Sequence, residues 1–193
     1  MNLPNKLTVM RICMTPLFTA AMLIEFPHHY LVALIIFALA SITDWLDGYI
    51  ARSRNMITDF GKFLDPLADK MLTTAALIAF LAKGFGWGIE WALFIILFRE
   101  FAISSLRLIA VSSKTKKVIA ANIWGKLKTV TQMIAIICGI IGMYVLSIML
   151  PSTILYHVIN IVFTALLWTS TLFALLSGIL YFKESAAYIN PKQ

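Results

Sequence analysis

Acidic side chains are scarce in this sequence. Nine Asp and Glu are spread over 193 residues and only 13% of residues are charged, about half the share of an ordinary soluble chain. Cysteine is scarcer, with Cys13 and Cys138 alone, both inside strongly apolar stretches. That excludes a disulfide framework or a thiolate metal centre and leaves two core or lipid-facing thiols. No Gly/Ser-rich linker or charge-run boundary marks a second domain, and no internal repeat or low-complexity tract is visible. A single domain over residues 1–193 is therefore expected. What fills the chain instead is apolar: 61% of residues are hydrophobic and the mean hydropathy is +0.89.

Apolar stretches near or above the roughly 20 residues that cross a bilayer recur along the whole length. They predict an all-α integral membrane protein with six transmembrane helices, near 7–27, 30–52, 61–82, 87–111, 121–148 and 154–181. The net charge of +7 raises nucleic acid as a partner, but its distribution argues against one. Lys6, Arg11, Arg52, Arg54, Lys62, Lys114, Lys116, Lys117, Lys126, Lys128, Lys183 and Lys192 fall on one side of a six-helix topology. Only Lys83 lies in the loops opposite, with Glu25 as the one charge of the 26–30 turn. This is the positive-inside pattern. It predicts cytoplasmic termini, a multi-pass plasma-membrane location and the lipid bilayer, with its anionic headgroups, as a partner. Arg11 and Pro16 in the first apolar segment, with no A-x-A site after it, argue against a cleaved signal peptide. His28, His29 and His157 read as solvated or interfacial residues rather than ligands. Gly84-Phe85-Gly86-Trp87-Gly88 reads as an outer turn flanked by the interfacial anchors Trp87 and Trp91, not as a nucleotide loop.

The few acids are not evenly placed: five of the nine lie between Asp44 and Asp69. Four of these form the pattern Asp44-x2-Asp47-Gly48-x2-Ala51-Arg52-x8-Gly61-x3-Asp65-x3-Asp69. An ionisable group inside a bilayer is costly unless paired, hydrated or metal-bound, so such a cluster marks a functional site. At about 100° per residue, Asp47, Gly48 and Ala51 lie within about 60° of Asp44 on one helix face. Gly61, Asp65 and Asp69 make a second stripe on the next helix. The Arg52–Phe60 connection folds these two helices back to back, so the stripes are expected to meet at the cytoplasmic interface. Gly48, Ala51 and Gly61 keep that face free of bulk, either for helix packing or for a flat ligand. Because Pro66 disfavours helical geometry at the residue before it, Asp65 is expected in the first turn of the third helix or just ahead of it.

Oxygen-only ligands select a hard cation, Mg²⁺ or Mn²⁺. Four carboxylates are more charge than one Mg²⁺ usually receives, whereas two ions about 3.5–4 Å apart would absorb it and clamp a phosphoryl group. The pattern therefore points to phosphoryl transfer with a nucleotide or diphosphate at the cytoplasmic face.

With no position missing, the pattern resembles the signature of the CDP-alcohol phosphotransferases. Further segments resemble the members of that family that use glycerol 3-phosphate: Asn2-Leu3-Pro4-Asn5-Lys6-Leu7-Thr8 with Arg11 and Pro16, Arg99-Glu100 with Ser104 and Arg107, and Gly125-Lys126-Leu127-Lys128-Thr129 with Gln132. The resemblance covers residues 1–135, the last two helices matching only in hydropathy and length. It implies transfer of a phosphatidyl group from CDP-diacylglycerol to sn-glycerol 3-phosphate with release of CMP, by a homodimer. It assigns Asp44, Asp47, Asp65 and Asp69 to the two metal ions, with Asp69 also the catalytic base for the glycerol hydroxyl. Gly48, Ala51, Arg52 and Gly61 would contact the CDP moiety, and Asn5, Thr8, Arg11 and Thr43 are accessory positions.

Fixed cations near such a site suit an anionic acceptor, which makes Arg107, Lys126 and Lys128 candidates for its phosphate. Plain positive-inside anchoring is the other reading of such residues and fits Lys114, Lys116 and Lys117 better. Arg99 and Glu100 fall mid-span, where a pairing within the bundle suits Glu100. Other acceptors used with the same signature are inositol phosphate, serine and phosphatidylglycerol. A UbiA-like prenyltransferase would also use aspartates, Mg²⁺ and a diphosphate, but has no place for the Gly-x2-Ala-Arg element. A divalent-cation transporter would place its acids near mid-membrane and offer broken helices or a repeat.

Overall fold

A computed structural model describes residues 3–53, 59–112, 123–149 and 153–186. Within these, the side chains of 3–4, 45, 47–53, 59–63, 65–66, 69, 107–112 and 184–186 lie outside the described set. The described chain is six helices: α1 Leu3–Leu23, α2 His29–Ser53, α3 Asp59–Ala82, α4 Ile89–Ser112, α5 Ile123–Ile148 and α6 Thr153–Ala186.

The helix count matches expectation and the boundaries shift for local reasons. α1 starts four residues early because Pro4 sits in its first turn, where a missing N–H costs nothing. It also ends early, ahead of Pro27 and of His28, whose φ is +59°. His29 is a correction: it is buried rather than solvated, and its Nδ1 donates to the Ala21 carbonyl at 3.0 Å. That carbonyl lies in the last turn of α1, where the ladder provides no partner. Asp65 is a second correction, since α3 begins at Asp59 and the residue lies in its second turn. The pre-proline preference is a local bias, and a membrane helix can carry a proline when neighbouring groups re-satisfy the freed backbone.

Among the described residues, three segments are long and apolar enough to cross a membrane by length and composition: Asn5–Leu23, Ile123–Ile148 and Thr153–Lys183. In α2 and α3 the described apolar stretches are His29–Asp44 and Lys70–Ala82. Large apolar side chains cover the outside of the bundle, with Phe94, Phe98 and Phe101 on α4 between 62% and 70% exposed. A water-facing surface rarely shows so much contiguous apolar area, whereas a lipid-facing one requires it.

α1 packs along both α2 and α3, which also touch each other. Most side chains at the ends of α2 and α3, where the aspartate stripes are expected to meet, lie outside the described set. α5 packs along α6, α4 lies against α6 and α3, and α5 also meets α2 and α3. Gly139 and Gly142 bring α5 onto α6. A Cβ at Gly139 would stand 2.7 Å from both Phe163 and Phe80, and one at Gly142 would strike Ile159. Phe80, Phe85 and Phe163 close this half of the bundle, with the Phe80 and Phe163 ring centroids 4.6 Å apart. The polar interior lies in the other half, toward the start of α1: Asn5, Thr8, Arg11, Lys128, Gln132 and Ser177 are all buried there.

Candidate active site

The two aspartate pairs fall on the two helices expected of them, Asp44 and Asp47 on α2, Asp65 and Asp69 on α3. Of the four, Asp44 has a described side chain. It is about half exposed and ion-paired with Arg11 of α1. The side chains of Asp47, Gly48, Ala51, Arg52, Gly61, Asp65, Asp69 and Arg107 lie outside the described residues. Among the described residues, no group of three or more His, Cys, Asp or Glu side chains forms a metal site. What is described at Asp44 suits a hard cation: an oxygen donor, reachable from solvent, on the face where Asp47 and Gly48 follow one turn later.

Arg11 reaches Asp44 because α1 carries a polar stripe at helical spacing. Asn5, Thr8, Arg11 and Thr15 share one buried face, and Arg11 is 2% exposed. The Thr15 hydroxyl donates to the Arg11 carbonyl at 3.1 Å. Thr43, next to Asp44, turns its hydroxyl onto its own helix and donates to the Ala40 carbonyl at 2.8 Å.

A second polar feature lies between α3, α4, α5 and α6. A cavity of about 460 Å³ is walled by Lys70, Arg99, Glu100, Ser104, Lys126 and Lys128, with Thr74, Gln132, Ser177 and Tyr181 among its other lining residues. The structure thus brings Lys126 and Lys128 together, and separates their circumstances. Lys126 is exposed, whereas Lys128 is buried and donates to Glu100 Oε1 at 2.8 Å. Arg99 Nη1 meets the same oxygen at 2.8 Å, and Lys70 Nζ approaches Oε2 at 3.3 Å. Arg99 also donates through Nη2 to Ser177 of α6. Gly125 leaves room for that contact, since a Cβ there would lie 3.2 Å from Arg99 Nη2.

Glu100 is therefore paired within the bundle, as a largely buried carboxylate requires. Among the described residues, the wall has four cations against one carboxylate, a surplus suited to an anion. Lys70, Ser177 and Tyr181 were not singled out from sequence. A cation directly after Asp69 was the available signal for Lys70. Nothing local marks the two α6 residues, which lie in a helix read only by hydropathy.

The profile of the CDP-alcohol phosphatidyltransferase family matches residues 1–179. The chain belongs to that family. The match runs through α5 and most of α6, well past residue 135, where the resemblance read from sequence ends. Two curated relatives match nearly all of the chain. A Bacillus subtilis protein named CDP-diacylglycerol–glycerol-3-phosphate 3-phosphatidyltransferase is 40% identical over 95% of both chains. A Rickettsia bellii protein of the same name is 36% identical over 97% of both. One from Haemophilus influenzae is 38% identical over 70% of this chain and 73% of its own. Membership of this membrane-enzyme family accords with the apolar exterior of the bundle.

Proposed function

We propose that this protein transfers the phosphatidyl group of CDP-diacylglycerol to sn-glycerol 3-phosphate, giving phosphatidylglycerophosphate and CMP. The observation that carries this reading is the cation-rich cavity whose wall includes Lys70, the residue after Asp69. The names of the two relatives that match nearly all of the chain support the same donor and acceptor.

In this reading Asp44, Asp47, Asp65 and Asp69 hold two Mg²⁺ or Mn²⁺ ions. When bound, such ions polarise the phosphorus and neutralise the charge of the departing CMP. Arg52 binds the CDP phosphates, and Gly48, Ala51 and Gly61 leave the space in which the nucleotide lies against the helices. Lys126, with Arg107, holds the acceptor's phosphate, while Lys128 is paired with Glu100 in the wall of the same cavity. Asp69 accepts the proton of the glycerol hydroxyl as that oxygen attacks the phosphorus bearing diacylglycerol. Arg11 keeps Asp44 oriented through the ion pair from α1.

An interfacial site suits one lipid and one water-soluble substrate. The reading includes six spans in a single domain, both termini and the aspartates on the cytoplasmic side of the plasma membrane, and a homodimer. The positive-inside distribution supports that orientation. The reading is tested by offering the purified protein CDP-diacylglycerol with radiolabelled glycerol 3-phosphate, inositol phosphate or serine. Preferential incorporation of glycerol 3-phosphate is expected. Equal or better use of inositol phosphate, which would satisfy the same cations, would overturn the acceptor and leave the family standing.

A further inference from the structure

Among the described residues, the carboxylate of Glu100 is the one acid on a wall that holds Lys70, Arg99, Lys126 and Lys128. Three of those cations, brought by α3, α4 and α5, converge on it. Lys128 and Arg99 share Oε1 at 2.8 Å each, and Lys70 lies 3.3 Å from Oε2. Lys70 is additionally tied to α4 by donation to the Ser104 hydroxyl and, at 3.4 Å, to the Glu100 carbonyl.

The cations differ in what they have left to offer. Lys128 and Arg99 are 8% and 13% exposed, Lys70 is 34% exposed, and Lys126 is exposed. The first two are consumed by the carboxylate, whereas the ammonium groups of Lys70 and Lys126 can face a ligand entering the cavity. Lys70 is also the residue after Asp69.

We propose that Glu100 is a positioning residue of the acceptor site: its carboxylate sets where Lys70 stands, and Lys70 holds the acceptor's phosphate in the cavity. This rests on the activity proposed above and extends it to residues outside the aspartate signature. Two opposed effects follow from removing the charge of Glu100. The cavity becomes more positive, which favours an anion. The three cations lose their common partner and repel one another, so that Lys70 leaves its place. Positioning wins here, because the carboxylate is the junction of three helices and the ammonium it places is a flexible, strongly hydrated point charge.

The test uses full-length enzyme in detergent with CDP-diacylglycerol and glycerol 3-phosphate, reading kcat, both Michaelis constants and the melting temperature. Glu100→Gln is expected to raise KM for glycerol 3-phosphate about tenfold, the loss of one charge-assisted contact. KM for CDP-diacylglycerol and kcat should stay within about threefold. Glu100→Asp, which restores the charge, should recover part of the loss. Lys70→Met should raise the same constant, and adding Glu100→Gln to it should raise it no further, since both act through one contact. A merely structural Glu100 would lower the melting temperature and leave KM alone.

An unchanged or lower KM for glycerol 3-phosphate in Glu100→Gln, or effects that multiply in the double variant, would overturn the proposal. If Glu100→Gln does not fold, Glu100→Asp decides alone: a raised KM supports positioning and an unchanged one refutes it. The wild-type rate in the same assay separates the two levels. Absence of product from wild type fells the proposed activity and this inference together, whereas normal wild-type turnover with unaltered variants fells only the role of Glu100.

Discussion

Arg11 and Asp44 are ion-paired across the α1–α2 contact, with the guanidinium side almost wholly buried and the carboxylate side 47% exposed. α1 thereby becomes part of the aspartate layer, although it holds none of the four aspartates itself. Arg11→Met should lower stability by about 1–3 kcal/mol, the range for a hydrogen bond to a charged group. Arg11→Lys should restore only part of it, since a point charge does not reproduce the guanidinium fork. Thermal melting of the detergent-solubilised protein reads both; an unshifted melting curve for Arg11→Met would remove the pair from the stability account.

Lys126 and Lys128 look equivalent in the sequence and are not equivalent in the fold. Lys126→Ala should raise KM for glycerol 3-phosphate about tenfold to a hundredfold with little change in melting temperature, because the residue is exposed at the cavity. Lys128→Ala should chiefly destabilise, because it takes a partner from a buried carboxylate. Steady-state kinetics and melting on both variants check the division. The reverse assignment of the two effects would contradict it.

Gly139 is the tightest useful probe of the α5–α6 packing. An added Cβ meets two buried aromatic rings, Phe163 and Phe80, neither of which has a flexible end to move aside. Gly139→Ala should therefore destabilise by about 1–3 kcal/mol, read as a lower melting temperature with unchanged Michaelis constants. Wild-type stability would show that the two helices separate more readily than this packing implies.

Orientation in the membrane is open to thiol labelling in a background with Cys13 and Cys138 replaced by Ala. Ser147→Cys, at the exposed end of α5, should react with a membrane-impermeant reagent in intact cells, and Lys6→Cys, exposed near the start of α1, should not. Gly86 is unsuitable for this purpose, since its φ is +99° and a Cβ would stand 2.5 Å from Phe163. The opposite labelling pattern would put the aspartates on the side that lacks nucleotide.

The parts of this protein legible in its sequence are those encoded locally. Six apolar runs give six helices, and the i,i+3 and i,i+4 spacing of the aspartates puts each pair on its own helix. The 84–88 segment is a turn, as its glycines suggest, with Gly84, Gly86 and Gly88 at positive φ and Trp87 and Trp91 exposed. What escapes is set by contacts between residues distant in the chain. Lys70 meets Glu100 thirty residues on, Arg99 meets Ser177 across seventy-eight, and no periodicity announces either. The same holds for α1 packing along both α2 and α3, because a polar stripe at residues 5, 8 and 11 does not say which neighbours it faces. The burial of His29 escapes for a related reason: its partner is a backbone carbonyl, which carries no sequence signal.

The most direct test of the central claim is metal-dependent release of CMP from CDP-diacylglycerol in the presence of glycerol 3-phosphate. The account predicts that EDTA abolishes CMP release and that added Mg²⁺ or Mn²⁺ restores it. It also predicts that Asn substitution at Asp44, Asp47, Asp65 or Asp69 nearly abolishes turnover in protein that still melts cooperatively, because no other group supplies the lost charge stabilisation. Substantial CMP release in EDTA, or near-normal turnover in the four Asn variants, would contradict the account.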